Sequence, residues 1–418
     1  MDRDQRSGSS PGRAQPPDPP GRWVVLHWLG LATLLSMTTW FSATAVVPQL
    51  TDQWGLSAAH GAGLTLAVQL GFVAGAIISA AANLADLVRP PTMMLYGAIG
   101  AATANGLLLL APGPGSAIVL RFLTGACLAA VYPPALKQMA TWFRAGRGTA
   151  LGLMVGALTV GSATPHLVNG LGGADWRTVI AATSALTALG GLVAATRVPE
   201  GPFPFARATF DPRQLGVVVR DRGERLASLG YFGHMWELYA MWAWFAVFIA
   251  DALADRDGAG ATTAAALITF VVIGSGAIGC AAGGVLGDRW GRTKSTMLAM
   301  ALSGSAAITV GLLRDGPLWA LLAVSVVWGV TVIADSAQFS TIVTEVADQR
   351  YVGTALTLQL AAGFTLTGLT IVLVPLARDA LTWQWAFAVL APGPFLGIWA
   401  MNRLRRSPLT AQIAGGRG

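Results

Sequence analysis

Polar residues in this chain are confined to short stretches between long apolar ones. Apolar runs of about twenty residues recur along it, each long enough to cross the roughly 30 Å hydrocarbon layer of a bilayer as a helix. Twelve are predicted: α1 at 24–50, α2 at 61–82, α3 at 92–111, α4 at 116–140, α5 at 148–171 and α6 at 176–197, then α7 at 226–253, α8 at 262–287, α9 at 294–313, α10 at 317–340, α11 at 352–377 and α12 at 383–402. The alternating polarity of a barrel strand is absent, so helices must satisfy the backbone internally. The pattern predicts an all-α polytopic membrane protein.

Composition agrees. Of the 418 residues, 54% are hydrophobic and 11% charged, against about 25% charged in a soluble protein. With a cytoplasmic N-terminus, 22 of the 27 Lys and Arg fall in inner segments. The outer loops hold Arg177, Arg256, Arg314 and Arg378, and Arg121 lies within α4. This asymmetry predicts both termini on the cytoplasmic side of the plasma membrane. It also accounts for the +7 net charge without nucleic acid, which would need a soluble basic patch interleaved with aromatics. Residues 1–22 are rich in Pro, Gly, Ser and Arg with no apolar core, and read as a disordered tail, not a signal peptide. Cys127 and Cys280 fall inside apolar helices as small hydrophobes.

The chain repeats itself. The longest polar connection, 198–225, separates six predicted helices from six, giving an N-terminal half at 23–197, a C-terminal half at 226–403 and a tail at 404–418. A GTAL tetrapeptide opens α5 at Gly148 and α11 at Gly353, 205 residues apart, and Asp86 after α2 recurs as Asp288 after α8, 202 residues on. Two similar offsets indicate a tandem duplication, the construction by which many secondary transporters form a midplane site.

Between α8 and α9 the run "GGVLGDRWGRTK", Gly283 to Lys294, packs one acid, three bases and four glycines into twelve residues. Gly284 lets helix backbones approach, Asp288 can cap a helix N-terminus and pair with a base, and Gly291 permits the tight turn. Arg292 and Lys294 hold the turn inside. Gly284, Asp288, Arg289, Gly291 and Arg292 closely resemble the G-x-L-x-D-R-x-G-R-[RK] signature of the major facilitator superfamily. That resemblance implies two pseudo-symmetric six-helix halves, alternating access, and a cytoplasmic latch at this turn. The N-terminal copy, "ANLADLVRP", keeps Asp86 but has Leu87 for the arginine and Arg89 for the glycine, which weakens the expectation of an equal latch there.

Ionisable residues within the helices carry the rest, since charge at mid-bilayer costs several kcal/mol and needs a cavity or a partner. Arg121 matches the R-x-x-x-G pattern of superfamily α4, which implies proton coupling or contact with an anionic group; outward snorkelling is the alternative. In α7, "YFGHMWELYAMWAW" places His234 and Glu237 three apart on one face, with Tyr231 continuing it and Trp236 and Tyr239 near or beside it. Counted from Leu226 at 1.5 Å per residue, Glu237 is roughly 16 Å deep. These residues read as a protonation site (Glu237, His234) and as solute contacts (Tyr231, Trp236, Tyr239). His166, after Pro165 in α5, reads equally as a core histidine or a solute contact. Asp335 in α10 can face Arg144, Arg147 or a cavity, and joins the proton-coupling set. Gln69, Asn83, Asn105 and Gln359 read as bonds between helices.

No arginine precedes the turn in α8, and none lies in α2, which disfavours nitrate. The glycine array of drug–proton antiporters is incomplete in α5, where Pro165-His166 replaces Gly-Pro. Walker, metal-ligand and nucleophile-elbow motifs are missing, so neither an enzyme nor a bound cofactor or metal is expected. The resulting expectation is a monomeric, proton-coupled secondary transporter of a small polar or anionic organic solute. A broad-specificity drug or metabolite exporter and a non-transporting receptor or scaffold are the rivals. Neutral replacement of Arg121 and Glu237 would be harmless only in the last.

Overall fold

The computed structural model describes residues 18–172, 175–203, 212–257, 260–348 and 352–418. Among the described residues it is helix throughout, with no strand. The tail at 1–17 and part of the central connection lie outside them.

Each apolar run forms a helix near its predicted place. They are α1 (Arg22–Ser36, continued by Val47–Trp54), α2 (Ala58–Ala81), α3 (Pro90–Gly106), α4 (Pro114–Leu128 and Tyr132–Ala140), α5 (Arg147–Gly172) and α6 (Trp176–Arg197). The second half has α7 (Arg222–Asp257), α8 (Ala261–Trp290), α9 (Arg292–Leu312), α10 (Leu318–Thr331 and Ser336–Val346), α11 (Val352–Leu381) and α12 (Pro392–Arg405, after the short turn Trp383–Ala386). Eleven are long and apolar enough to cross a membrane, and α1, bent by 46°, makes twelve. α7 is longer than its apolar run, at 36 residues. Hydropathy stops at Arg222 and Arg256, but the helical hydrogen bonds continue past charge.

Three spans are interrupted. α1 passes through 3-10 turns at Met37–Thr39 and Thr44–Val46. α4 breaks ahead of Tyr132-Pro133-Pro134, where proline cannot donate to the preceding turn. α10 breaks after Thr331 with no proline at all. The restarts of α4 and α10, Tyr132 and Ser336, are 204 residues apart.

The same spacing recurs in the tightest helix crossings. Gly125 of α4 lies against the Val68 carbonyl of α2, and Gly329 of α10 against the Val272 carbonyl of α8. Gly75 meets the Ala126 carbonyl as Gly279 meets that of Val330. All four pairs keep the 204-residue offset, and none has room for a methyl group. Small residues are what let helices close on one another where lipid removes the hydrophobic drive. The duplication read from two motifs is therefore built into the packing of both halves.

The halves meet along two seams. α5 and α8 pack closely through Gly148 against Gly284, Gly152 against the Cys280 carbonyl, and Gly156 against Ala277. α2 and α11 meet lower down, where Thr367 donates to Gln69 Oε1 and Leu66 covers Gly368. Past Ser407 the chain folds back beneath the second half, burying Ile413 completely.

Candidate functional site

Between the halves lies a cavity of about 410 Å³, a size suited to a small organic molecule. Ser79, Asn83 and Lys137 line it in the first half, and Ser340, Gly353 and Thr357 in the second. These sit near the helix ends that carry the basic turns, so the cavity reaches that face on the α2–α11 side. Two of the interrupted helices contribute walls here: Tyr132 and Leu136 follow the break in α4, Ser336 and Ala337 the break in α10. At the other end it is closed by rings. Trp40 and Phe72 of the first half meet Tyr239 and Phe364 of the second, with Trp40–Tyr239 at 5.9 Å, Trp40–Phe364 at 5.8 Å and Phe72–Phe364 at 5.1 Å between centroids. Phe41 continues the plug against Tyr239 and Trp242 at 6.2 and 5.7 Å.

Of the residues singled out in the sequence, Tyr231 and Tyr239 line this cavity, as do Asn83 and Gln359, expected instead as bonds between helices. Trp236 does not; its indole donates to the Val389 carbonyl at 3.0 Å. His166 does not either. It is 1% exposed, and neither ring nitrogen has a hydrogen-bond partner. Arg121 is wholly buried behind the wall. It donates to the Thr39 carbonyl (2.8 Å), to Asn105 Oδ1 (2.8 Å), to Ser42 Oγ (3.1 Å) and to the Trp40 carbonyl. Two of these, the Thr39 and Trp40 carbonyls, lie where α1 loses its helical bonds, so the arginine caps a broken helix from the side. Neither the snorkelling position nor a place on the cavity wall is where it stands.

The second half buries acid instead. His234 and Glu237 share a face of α7 but not a bond. His234 Nδ1 lies 2.8 Å from Asp335 Oδ1 across the α7–α10 interface, with both side chains nearly inaccessible. Glu237 accepts from Trp328 Nε1 (2.6 Å) and Ser303 Oγ (2.8 Å). Asp335 thus faces His234 rather than Arg144 or Arg147. Its chain neighbour Ser336 and His234's neighbour Met235 both line the cavity. The sequence put His234 and Glu237 on one face; Asp335, 98 residues beyond Glu237, carries no local sign of the contact.

The basic turn is assembled from further residues. Asp288 accepts the Thr149 backbone N–H at 3.3 Å, where the dipole of α5 favours negative charge. Gly148 makes this approach feasible, since any side chain there would strike the carboxylate, and Gly284 abuts the same glycine. Arg292 lies 3.5 Å from Asp288 but bonds Glu345 more closely, at 2.9 to 3.1 Å, and Gln338 at 3.0 Å. Gly291 adopts φ +109°, the left-handed region that favours glycine, and Arg289 is exposed. Glu345, Gln338 and Arg417, which donates to the Asp288 carbonyl at 2.5 Å, were not evident as parts of this turn in the sequence. In the first-half copy Arg89 pairs with Glu200 at 3.0 Å on the surface. The Asp86 side chain lies outside those described.

Comparison with known proteins follows this geometry. The sequence profile of the Major Facilitator Superfamily matches residues 29–254. A gentisate transporter from Corynebacterium glutamicum is 28% identical over 151 residues, 36% of this chain and 33% of that protein. An enterobactin exporter from Escherichia coli is 42% identical over 84 residues, 20% of each chain. The chain thus aligns with a third or less of these relatives. In three dimensions it resembles a bacterial homolog of the human lysosomal transporter Spinster, solved inward-facing and unoccupied. The TM-score is 0.67 at 17% identity, covering 94% of this chain and all of that one. Helix count, duplicated packing and profile agree: the chain is a multi-pass membrane transporter, not an enzyme, and belongs to the major facilitator superfamily.

Proposed function

We propose that this transporter couples the movement of a small polar or anionic organic solute to protons, by rocking two units, residues 23–197 and 226–403, about the central cavity. The observation that carries the reading is the buried contact of His234 with Asp335 on helices that flank the cavity. A buried acid and imidazole at that distance can share or release a proton, and each state changes the charge beside the solute path. Glu237, one turn away and held by neutral donors, is the second carboxylate of the site. Tyr231 stacks on His234 at 6.2 Å between ring centroids.

In this reading the basic turns face the cytoplasm of a plasma-membrane protein that works as a monomer, and the structure is an inward-open state. Asp288 on the N-terminus of α5 holds the α5–α8 seam, and the aromatic plug closes the outer side. Lys137 at the mouth supplies positive potential for an anion, and the similarity to a gentisate transporter supports an acidic solute. The test is uptake of labelled gentisate into proteoliposomes with and without an imposed pH gradient. Wild-type accumulation must follow the gradient, and Asp335→Asn must abolish that dependence. Equal accumulation with and without the gradient would reject coupling. A second reading, export, draws on the short match to the enterobactin exporter and on the aromatic floor. Accumulation only in vesicles of inverted orientation would favour it.

A further inference from the structure

Several tryptophans here find acceptors: half-buried Trp236 the Val389 carbonyl (3.0 Å), half-buried Trp244 the Ile371 carbonyl (2.8 Å), and buried Trp328 the Glu237 carboxylate (2.6 Å). Trp40 does not. It is 2% exposed and lines the cavity, and its Nε1–H has no partner among the described residues. Trp242 shares that lack but lies outside the cavity lining. On the facing wall, Gln359 of α11 also lines the cavity, is 3% exposed, and leaves Nε2 unpartnered. Buried donors without acceptors are costly, and native proteins rarely keep them without a use.

Trp40 sits in the interrupted part of α1, where Arg121 takes its carbonyl and that of Thr39. Its ring is wedged against Phe72 at 5.0 Å. Gln359 lies on α11 before Phe364, the ring that completes the floor. The cavity is therefore lined by an aromatic surface and by two residues with unpartnered N–H donors, one from each half, with a lysine at its mouth. Aromatic faces stack on planar rings, and N–H donors want oxygen acceptors, best of all charged ones.

We infer that Trp40 and Gln359 read the solute, and that the solute is an aromatic carboxylate whose ring lies on the floor while its oxygens accept from Trp40 Nε1 and Gln359 Nε2. This rests on the reading that the solute passes through this cavity, and it makes Arg121 a positioning residue acting through Trp40. A solute bridging donors from both halves also ties its binding to their relative position, which alternating access requires of any cargo.

The experiment is equilibrium binding to the purified full chain in detergent at fixed pH, where no gradient enters. The probes are 2,5-dihydroxybenzoate and hydroquinone, the same ring without the carboxylate. Wild type should bind the acid at least about tenfold more tightly, the discrimination expected for hydrogen bonds to a charged group. Trp40→Phe keeps an aromatic ring and Gln359→Leu keeps size, and each removes the donor. Each should weaken the acid by about fivefold or more, while hydroquinone changes less than about twofold. Gln359→Glu, which sets acceptor against acceptor, should weaken the acid further. Retained hydroquinone binding shows that the cavity is intact in each variant. Wild-type affinity for the acid in both donor variants would overturn the assignment of the donors. Equal affinity for the two probes, or no binding of the acid, would overturn the solute class. Gradient-driven uptake of some other solute would then leave proton coupling standing.

Discussion

The two halves bury opposite charges and spend them differently. In the first, Arg121 is surrounded by neutral acceptors, two of them carbonyls released where α1 is interrupted. In the second, α7 runs unbroken for 36 residues and carries the titratable groups itself, His234 and Glu237, with Asp335 facing them from α10. A duplicated scaffold has thus diverged. One copy uses charge to hold an irregular backbone, which needs a group that never changes state. The other keeps acids and an imidazole whose charge can change. Arginine suits the first role because it stays protonated and offers a rigid fork of donors.

The sharpest break of this comparison is Arg121→Ala. It leaves the Trp40 carbonyl without this donor in the bilayer interior and leaves the Thr39 carbonyl and Asn105 Oδ1 to share the single Ser42 hydroxyl proton, at about 1–3 kcal/mol for each acceptor left unpaired. The expected result is a large loss of thermal stability, with Arg121→Lys recovering only part of it. A variant as stable as wild type would mean that the α1 break does not depend on Arg121.

Asp335→Asn and Glu237→Gln should do the reverse: fold normally, yet lose gradient-driven accumulation by about tenfold or more while retaining solute exchange. His234→Ala should move the pH optimum without abolishing transport. Uptake and counterflow in proteoliposomes separate these outcomes. Full accumulation by both acid variants would remove the functional side of the contrast.

A smaller effect is expected at the seams. Asp288→Asn should slow turnover severalfold, because the carboxylate is seated on the first turn of α5. Arg89→Ala should change it little, since its pair with Glu200 is exposed. Equal turnover in the two variants would show that the halves are latched alike.

The smallest change is expected on the face opposite the basic turns, at Arg314. Burial lowers its pKa, but bonds to Asp251, Asp255 and Asp315 outweigh this and raise it. The guanidinium is therefore charged at every working pH, and the stabilisation that goes with its raised pKa is lost only as pH climbs beyond the ordinary arginine range. Arg314→Gln should cost no more than about 1 kcal/mol, less at high salt, in thermal denaturation at neutral pH.

Much of this was legible in the residues and some was not. Helix number followed from run length, and the duplication from GTAL and the paired aspartates. The break in α4 could have been read from Pro133-Pro134. The break in α10 could not, since Val332 to Asp335 contains no residue that forbids a helix; only the 204-residue offset from α4 marks it. His234 and Glu237 were placed on a common face by spacing alone. What spacing cannot give is the partner: Asp335, Ser303 and Trp328 come from other helices, and Arg121 faces acceptors that exist only once α1 has been interrupted. Trp40 and Gln359 were likewise invisible as a pair, because an unpaired donor is a property of the packed state.

The aromatic plug sets the thermal behaviour of the cycle. Opening the cavity toward its closed end means parting Trp40, Phe41 and Phe72 from Tyr239, Trp242 and Phe364, and wetting the faces they now share. Exposure of apolar surface raises heat capacity, and its free-energy cost varies with temperature. The step that separates these rings should therefore give a curved Arrhenius plot for turnover, and replacing Phe41 and Phe364 by leucine should straighten it.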